Sequence, residues 1–330
     1  MTTFQPFDPN PRFRHAPTPH AFIAPTQYIQ EPGALEHLGA YLADLVSPGA
    51  SVGVVITPGR RRALIETVAC SLESAGLKMV ETTFAGESSY TEVDRVTAHF
   101  RPYGVAVVVG IGGGKCLDTA RMAANRLDAR AVTVPTTAST DAPTAAVSVI
   151  YRDDGVFETI EFCRTNPLIV LADETVLAAA PPRYLVAGMG DAYSTFFEAR
   201  CCQENVAALT ERGVRPTVAA LAIAAQCREQ LLAHGTAALE ELRAGKPGPS
   251  FSRIVETNIL LSGLGFESGG LAGAHAVAQG LTVCEDLHKN CLHGELVAIG
   301  VMAELALENR TAEFKEALAF FRGVGLPTHL

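Results

Sequence analysis

The chain has 330 residues, of which 48% are hydrophobic and 18% are charged, as in a globular protein with one large or two ordinary domains. Its formal net charge of -9 argues against a nucleic-acid partner, because binding to phosphate backbones requires basic patches. The sequence has neither a signal-peptide pattern nor an apolar run of the roughly 18 residues that a membrane helix requires, so we expect a cytoplasmic protein with no membrane association.

Three regions follow one another along the chain. Residues 1–25 contain six prolines and predict an extended N-terminal arm. Residues 26–180 alternate short β-branched runs with helical patterns, which predicts an α/β domain whose parallel sheet is covered on both faces. Residues 181–330 carry Ala, Leu and Glu at helical spacing and predict an all-α domain. The expected strands of the second region lie at residues 51–57, 78–84, 105–109, 131–134 and 167–173.

A glycine cluster follows the third of these strands and precedes a helical pattern. Without β-carbons, Gly112, Gly113 and Gly114 can adopt positive φ and let an anion approach their N–H groups, next to the positive end of the helix dipole. Lys115 follows directly. The spacing matches neither common nucleotide-binding glycine motif, so a purely structural turn stays open as the alternative.

A second loop, residues 135–144, is rich in hydroxyl groups and contains one acid, Asp141. Both this loop and the glycine cluster follow predicted parallel strands, and open α/β sheets bind ligands at the carboxyl ends of their strands. Alternating apolar residues at 146–162 flank Asp154 and Gly155, a pattern that predicts a β-hairpin.

The helical region contains one acid and two histidines of interest: Asp191, His275 and His293. A carboxylate oxygen with two imidazole nitrogens and one open position suits a catalytic zinc ion, and non-haem iron would accept the same ligands. Spacing alone leaves a helix cap and ordinary packed histidines as the alternative. The eight cysteines are scattered without a C-x-x-C pair, which favours reduced thiols.

Five stretches of sequence resemble the glycerol dehydrogenases of the iron-containing, or group III, alcohol dehydrogenase family. They are GIGGGKCLDTA, VPTTASTDAPTAAVSVIY, RYLVAGMGDAYSTFFEA, LSGLGFESGGLAGAHAVAQGL and HGELVAIG. The resemblance runs from about Phe22 to Pro327. It implies a dehydroquinate synthase-like architecture, with an N-terminal nucleotide-binding α/β domain and a helical metal-binding domain. It also implies that the chains assemble into a homo-oligomer.

The resemblance also implies roles for individual residues. Asp191, His275 and His293 match the metal ligands, normally zinc, and Asp141 matches an acid that contacts the polyol substrate. The residues that match the dinucleotide site are Gly112, Gly113, Gly114, Lys115, Thr136, Ser139, Val147 and Tyr151. Asp118, in the first helical turn, is expected to order the glycine loop through hydrogen bonds to its backbone. The implied reaction passes a hydride from glycerol to NAD and yields dihydroxyacetone.

Several positions depart from the family pattern. Arg60–Arg62 come soon after the strand at residues 51–57, where an acid is often found, which leaves NADP open beside NAD, although a solvated helix start is the favoured interpretation. Ala278 replaces a common histidine, Ala145 replaces a common serine, and Asn290–Leu292 lack the usual aromatic residues. The chain also ends earlier than the family norm. Alternative functions are oxidation of another diol, hydroxyketone or glycerol 1-phosphate, or binding without catalysis.

Overall fold

The computed structural model describes residues 18–330, and most of the proposed arm at residues 1–25 therefore lies outside the described residues. Within this part, the contacts divide the chain into two compact units. Unit 1 comprises Ala24–Thr137 and Ala142–Ala179, and unit 2 comprises residues 18–23, Ala138–Asp141 and Ala180–Leu330. Every helix among the described residues is too short or too polar to span a membrane.

Unit 1 is built on a six-stranded sheet in which every paired strand is parallel. Its strands, together with those of a separate hairpin, are β1 (Gln27–Glu31), β2 (Ser51–Ile56), β3 (Lys78–Thr83), β4 (Val107–Gly112), β5 (Arg130–Pro135), β6 (Val147–Tyr151), β7 (Phe157–Phe162) and β8 (Ile169–Asp173). The order across the sheet is β1-β8-β5-β4-β2-β3. The predicted parallel sheet is therefore confirmed, with β1 as an additional edge strand.

Helices cover both faces of this sheet, as expected from its β-branched strands. They are α1 (Leu38–Ala43), α2 (Pro58–Ser74), α3 (Tyr90–Phe100), α4 (Gly114–Leu127) and α5 (Glu174–Ala178). Successive residues of β4 enter different clusters: Val107 and Val109 pack with the α1 and α2 side, whereas Val108 packs with the α3 and α4 side. Burial on both faces explains why these strands contain continuous apolar runs.

The direction of chain travel reverses between β2 and β4, which are neighbours in the sheet. From β2 the chain moves outward to β3, and from β4 it moves in the opposite direction to β5. Ligands of doubly wound sheets bind at such a switch point, beyond the carboxyl ends of the strands. Thr57, which follows β2, and Gly113, which follows β4, lie at this point of unit 1.

The predicted hairpin is also confirmed, since β6 pairs with β7 in antiparallel register. Gly155 has a φ of 85°, a left-handed conformation that explains the glycine in the connecting turn.

Unit 2 contains long helices and no strand among its described residues. Its helices are α6 (Pro182–Glu204), α7 (Val218–Arg243), α8 (Pro249–Glu256), α9 (Ser262–Gly269), α10 (Gly273–Leu281), α11 (Glu285–Asn290), α12 (His293–Leu307) and α13 (Thr311–Val324). A single π-helical segment, Thr257–Leu261, joins α8 to α9. Pro249 occupies the first helical position of α8, which suits proline.

Glycines allow these helices to pack closely, backbone against backbone. A β-carbon at Gly294 of α12 would lie 1.8 Å from the carbonyl oxygen of Ala187 in α6. A β-carbon at Gly300 of α12 would lie 2.1 Å from the carbonyl oxygen of Ala274 in α10. The small residues therefore bring α6, α10 and α12 together, and these three helices carry Asp191, His275 and His293.

Candidate metal and nucleotide sites

The glycine loop at the end of β4 uses its three glycines in two different ways. Gly112 is the last residue of β4, and a β-carbon there would lie 2.6 Å from Cγ2 of Thr57 and 2.7 Å from Cβ of Cys116. Apart from the adjacent residues and the backbone of α4 itself, no described atom comes within 4 Å of a β-carbon placed at Gly113 or Gly114. Gly112 therefore permits close packing, whereas Gly113 and Gly114 border open space at the start of α4.

The expectation of positive φ in this loop is wrong. Gly112, Gly113 and Gly114 are absent from the residues with positive φ, and Gly113, the N-cap of α4, has φ -81° and ψ 178°. The absence of side chains, rather than a left-handed backbone, keeps the first turn of α4 accessible. The unpaired N–H groups of a helix N-terminus can bind an anion.

Lys115 lies in the first turn of α4 and is paired within unit 1. Its Nζ lies 2.7 Å from Oε2 of Glu87 and 4.4 Å from the ring centroid of Tyr151. Burial, followed by the charges of Asp118 and Glu87, raises the pKa of Tyr151 to about 12, so its hydroxyl stays neutral near pH 7. Glu87 could not be recognised from the sequence, because its contact with Lys115 spans 28 residues.

Asp118 was expected to form hydrogen bonds to the backbone of the glycine loop, but its carboxylate bonds other residues instead. Its Oδ2 accepts a hydrogen bond of 3.2 Å from the Val149 N–H on β6, and its Oδ1 pairs with Arg121 at 3.1 Å. The Arg121 guanidinium also donates to the carbonyl oxygens of Ala142, Ala145 and Val147. Burial raises the pKa of Asp118 to about 6 against the opposing effects of Arg121 and the Val149 N–H. This buried pair thus joins α4 to the hairpin.

The remaining predicted nucleotide residues lie in different places. Thr136 is buried directly after β5, and its N–H donates to the carbonyl oxygen of Gly112 at 3.0 Å. Val147 and Tyr151 are half-buried on β6. Ser139 is half-buried in Ala138–Asp141, which belongs to unit 2. Within unit 1, Thr136 is therefore joined to the glycine loop by a main-chain hydrogen bond.

Arg61, in the first turn of α2, forms a two-point ion pair with Glu81 of β3. Its Nε lies 2.5 Å from Oε1 and its Nη2 lies 3.0 Å from Oε2 of Glu81. The guanidinium is thus already neutralised by an adjacent carboxylate.

In unit 2, the structure brings Asp191, His275 and His293 together. Their ligand atoms all lie within 4.8 Å of one another. Oδ1 of Asp191 lies 3.5 Å from Nε2 of His275 and 3.4 Å from Nε2 of His293, yet it has no hydrogen-bond partner among the described residues. Asp191 is buried and His293 is exposed, so the cluster opens on one side.

This arrangement fits a divalent metal ion. A buried carboxylate oxygen without a hydrogen bond is costly unless a cation or another donor satisfies it. Two imidazole nitrogens and one carboxylate oxygen form a donor set that zinc and non-haem iron both accept, with at least one position left open. A metal ion at the cluster would therefore satisfy the unpaired Oδ1 of Asp191.

Glu198 is a site residue that the sequence reasoning missed. Its Oε2 lies 2.6 Å from Nδ1 of His275, and its Oε1 accepts the N–H groups of Ala272 and His275 at 2.8 and 2.9 Å. Burial raises the pKa of Glu198, but the charge and hydrogen bond of His275 outweigh it and leave this pKa lowered. Its spacing in the sequence could have identified Glu198, because it follows Asp191 by two helical turns and so lies on the same face of α6.

Asp141 also lies beside Asp191. Its N–H donates to Oδ2 of Asp191 at 3.3 Å, and its own Oδ2 accepts a hydrogen bond of 2.7 Å from the Ser262 hydroxyl. Burial and the negative charge of Asp191 raise the pKa of Asp141 well above its usual value. Ser262, the first residue of α9, in turn lies 3.0 Å from Oγ1 of Thr195.

Comparison with known proteins identifies the family. A model of the iron-containing alcohol dehydrogenases matches residues 25–174. The chain is 43% identical over 311 residues to the glycerol dehydrogenase of Pseudomonas putida, spanning 94% of this chain and 84% of that protein. The chain belongs to the iron-containing alcohol dehydrogenase family.

Two further family members show the same extent of similarity. The glycerol dehydrogenase of Thermotoga maritima is 44% identical over 310 residues, spanning 93% of this chain and 83% of that protein. The crystal structure of a probable glycerol dehydrogenase from Sinorhizobium meliloti superposes with a TM-score of 0.85 at 40% identity, covering 94% of this chain and 84% of the other. The family resemblance of the sequence motifs is therefore confirmed.

Proposed function

We propose that this chain is a metal-dependent dehydrogenase that oxidises the secondary hydroxyl of glycerol with NAD, giving dihydroxyacetone, NADH and a proton. The observation that carries the proposal is the cluster of Asp191, His275 and His293, whose ligand atoms lie within 4.8 Å of one another around an unpaired carboxylate oxygen. Similarity to named glycerol dehydrogenases at 43% and 44% identity supports glycerol as the substrate.

In this proposal unit 2 holds the metal ion and the polyol. Asp191, His275 and His293 are the metal ligands, and Glu198 holds the His275 ring in position. Zinc is the ion we propose, with iron as the competing one, and the bound metal supplies a Lewis acid that lowers the pKa of a substrate hydroxyl. Asp141, oriented by Ser262, binds and orients a hydroxyl of the polyol.

Unit 1 holds the dinucleotide, whose nicotinamide supplies the hydride acceptor. The N-terminus of α4 binds the pyrophosphate through the N–H groups at Gly113 and Gly114, and Lys115 contributes positive charge nearby. Thr136, Val147 and Tyr151 complete the proposed dinucleotide contacts of unit 1. NAD is favoured over NADP because Arg61 is already paired with Glu81, whose negative charge would repel a 2′-phosphate.

We further propose that the active form is a homo-oligomer. Unit 2 exposes several large apolar side chains, among them Val206, Val218, Val283 and Leu307, at 79–89% of their full accessibility. Exposed apolar side chains favour association when they form a contiguous patch. Light scattering coupled to size-exclusion chromatography measures the assembly state, and a single-chain mass would reject this part of the proposal.

The deciding experiment combines metal analysis with turnover. Purified protein is analysed for zinc and iron and is then assayed with glycerol, other diols and glycerol 1-phosphate, each with NAD and with NADP. We expect about one metal ion per chain and NAD reduction with glycerol, and we expect His275→Ala to lose both. His234→Ala, which removes a histidine of α7 outside the cluster, is the matched control. Metal retention without turnover on any substrate would favour binding without catalysis.

A further inference from the structure

A second group of potential metal ligands lies on the two helices that carry Asp191 and His293. Cys201 of α6, Glu304 of α12 and Glu308 at the C-cap of α12 place one ligand atom each within 4.8 Å of the others. Glu304 is 4% exposed, whereas Cys201 and Glu308 are half-buried. The group is therefore buried on the side of Glu304 and open on the side of Cys201 and Glu308, where an ion can enter.

The two groups of ligands are related by the parallel packing of α6 and α12. The helices touch where Gly294 meets Ala187 and Asp191, and they meet again where Cys201 and Glu304 come together. Both helices advance by ten residues between these levels, which corresponds to about 15 Å at 1.5 Å per residue. The second group is thus a separate site farther along the same pair of helices.

Glu304 supplies an independent sign that this site takes a cation. Its Oε2 accepts a hydrogen bond of 2.8 Å from the Ala274 N–H, but its buried Oε1 has no hydrogen-bond partner among the described residues. The side chain is confined, since a β-carbon at Gly273 would lie 3.1 Å from its Cγ. A carboxylate oxygen fixed and buried in this way costs free energy until a donor or a cation satisfies it.

The arginines near this group do not replace a metal ion. Oε2 of Glu308 lies 3.8 Å from Arg200 and 3.5 Å from Arg310, distances at which an ion pair contributes little. The shorter ion pair of Arg200, at 2.6 Å, is with Glu313, and Arg310 also pairs with Glu204 at 3.1 Å. Neither arginine pairs with Glu304 among the described residues. Glu308 can therefore turn toward an ion without breaking a strong interaction.

We propose that Cys201, Glu304 and Glu308 form a second metal site, which binds zinc or a chemically similar divalent ion and joins α6 to α12. One thiolate and two carboxylate oxygens suit zinc, whereas calcium and magnesium prefer oxygen ligands alone. Water would complete a tetrahedral coordination at the open side. The site is independent of the proposed oxidation of glycerol, because it shares no residue with the Asp191 cluster.

The test uses cadmium as a probe of the purified protein with its resident metal. A cadmium–thiolate bond gives an ultraviolet charge-transfer absorption, which the nitrogen and oxygen ligands of the Asp191 cluster cannot give. We expect wild-type protein to bind one more cadmium ion per chain than Cys201→Ser and to show this absorption, which Cys201→Ser lacks. Cys70→Ser, a change at an exposed cysteine of α2, should keep both.

Glu304→Gln gives a second measure, since even loss of an outer-shell partner of a metal ligand costs about 10–100-fold in affinity. We expect Glu304→Gln to weaken cadmium binding at this site at least about tenfold while circular dichroism reports an unchanged fold. A thiolate absorption that persists in Cys201→Ser would overturn the proposal. So would wild-type protein that takes up no additional cadmium when the ion is in excess.

Discussion

Glu198 Oε2 and His275 Nδ1 are joined by a partly buried hydrogen bond of 2.6 Å in unit 2. Glu198 is ionised, because its pKa is lowered, so the imidazole Nδ1 donates and the carboxylate accepts. In the neutral form of the ring that binds a metal ion, the lone pair would therefore lie on Nε2, the nitrogen that faces Asp191 at 3.5 Å. Carboxylates that orient a histidine in this way raise its basicity as a metal ligand.

We therefore expect Glu198→Gln to lower the affinity for the resident metal by about 10–100-fold without unfolding the protein. The glutamine side chain has the same shape but presents an amide where His275 requires a charged acceptor. Competition with a chelator measures the affinity. Glu204→Gln, at an exposed position of the same helix, is the control and should bind metal like the wild type. Equal affinities in the two variants would show that Glu198 does not position the ligand.

The glycine loop gives a prediction that separates binding from folding. Gly113→Val fills open space and requires no change of backbone, so its cost in the free energy of unfolding should be about 1 kcal/mol, from the poorer helix N-cap. The valine side chain should nevertheless block the first turn of α4 and weaken NAD binding more than about tenfold, with the metal content unchanged.

Gly112→Ala provides the contrast for this prediction. Its β-carbon would lie 2.6 Å from Cγ2 of Thr57 and 2.7 Å from Cβ of Cys116, so overpacking should cost about 1–3 kcal/mol of stability. Titration calorimetry with NAD and thermal unfolding of both variants measure the two effects. If Gly113→Val bound NAD as tightly as the wild type, the pyrophosphate would not lie at this loop.

These sites also show what the sequence could and could not predict. Short β-branched runs identify β2, β4 and β5 because their residues are buried on both faces. The edge strand β1, QYIQE, mixes polar and apolar residues and carries no such signal. Glu198 could have been found from its spacing to Asp191. The pairing of Lys115 with Glu87 could not, because it depends on how distant segments meet in the folded unit.

Asp118 should make the stability depend on pH in a predictable direction. Burial raises its pKa from 3.8 to about 6 in the folded protein, so between pH 4 and 6 the folded state holds a proton that the unfolded state has released. This contribution to stability is fully present below pH 4 and is lost as the pH rises through about 6. At 1.36 kcal/mol per pKa unit, the loss is at most about 3 kcal/mol.

Asp118→Asn isolates this effect, because the other carboxylates titrate equally in both proteins. The free energy of unfolding of wild type minus that of Asp118→Asn should decrease by up to about 3 kcal/mol between pH 4 and pH 7. Urea unfolding at a series of pH values provides the measurement. Asp128→Asn, a change at an exposed aspartate that follows α4, should follow the wild-type curve. A constant difference between wild type and Asp118→Asn would contradict the raised pKa.

The Arg61–Glu81 ion pair predicts how the choice of dinucleotide can be changed. Both side chains lie in unit 1, on α2 and β3, and α2 begins at the switch point of the sheet, where doubly wound folds hold the adenosine ribose. Glu81→Gln removes one negative charge and frees the guanidinium of Arg61, which is well suited to bind a phosphate at two points. We expect kcat/KM with NADP to rise about tenfold relative to NAD, corresponding to about 1.4 kcal/mol.

Glu66→Gln, farther along α2, is the control for a general change in surface charge. If Glu81→Gln left the ratio of the two kcat/KM values unchanged, Arg61 and Glu81 would not lie at the ribose.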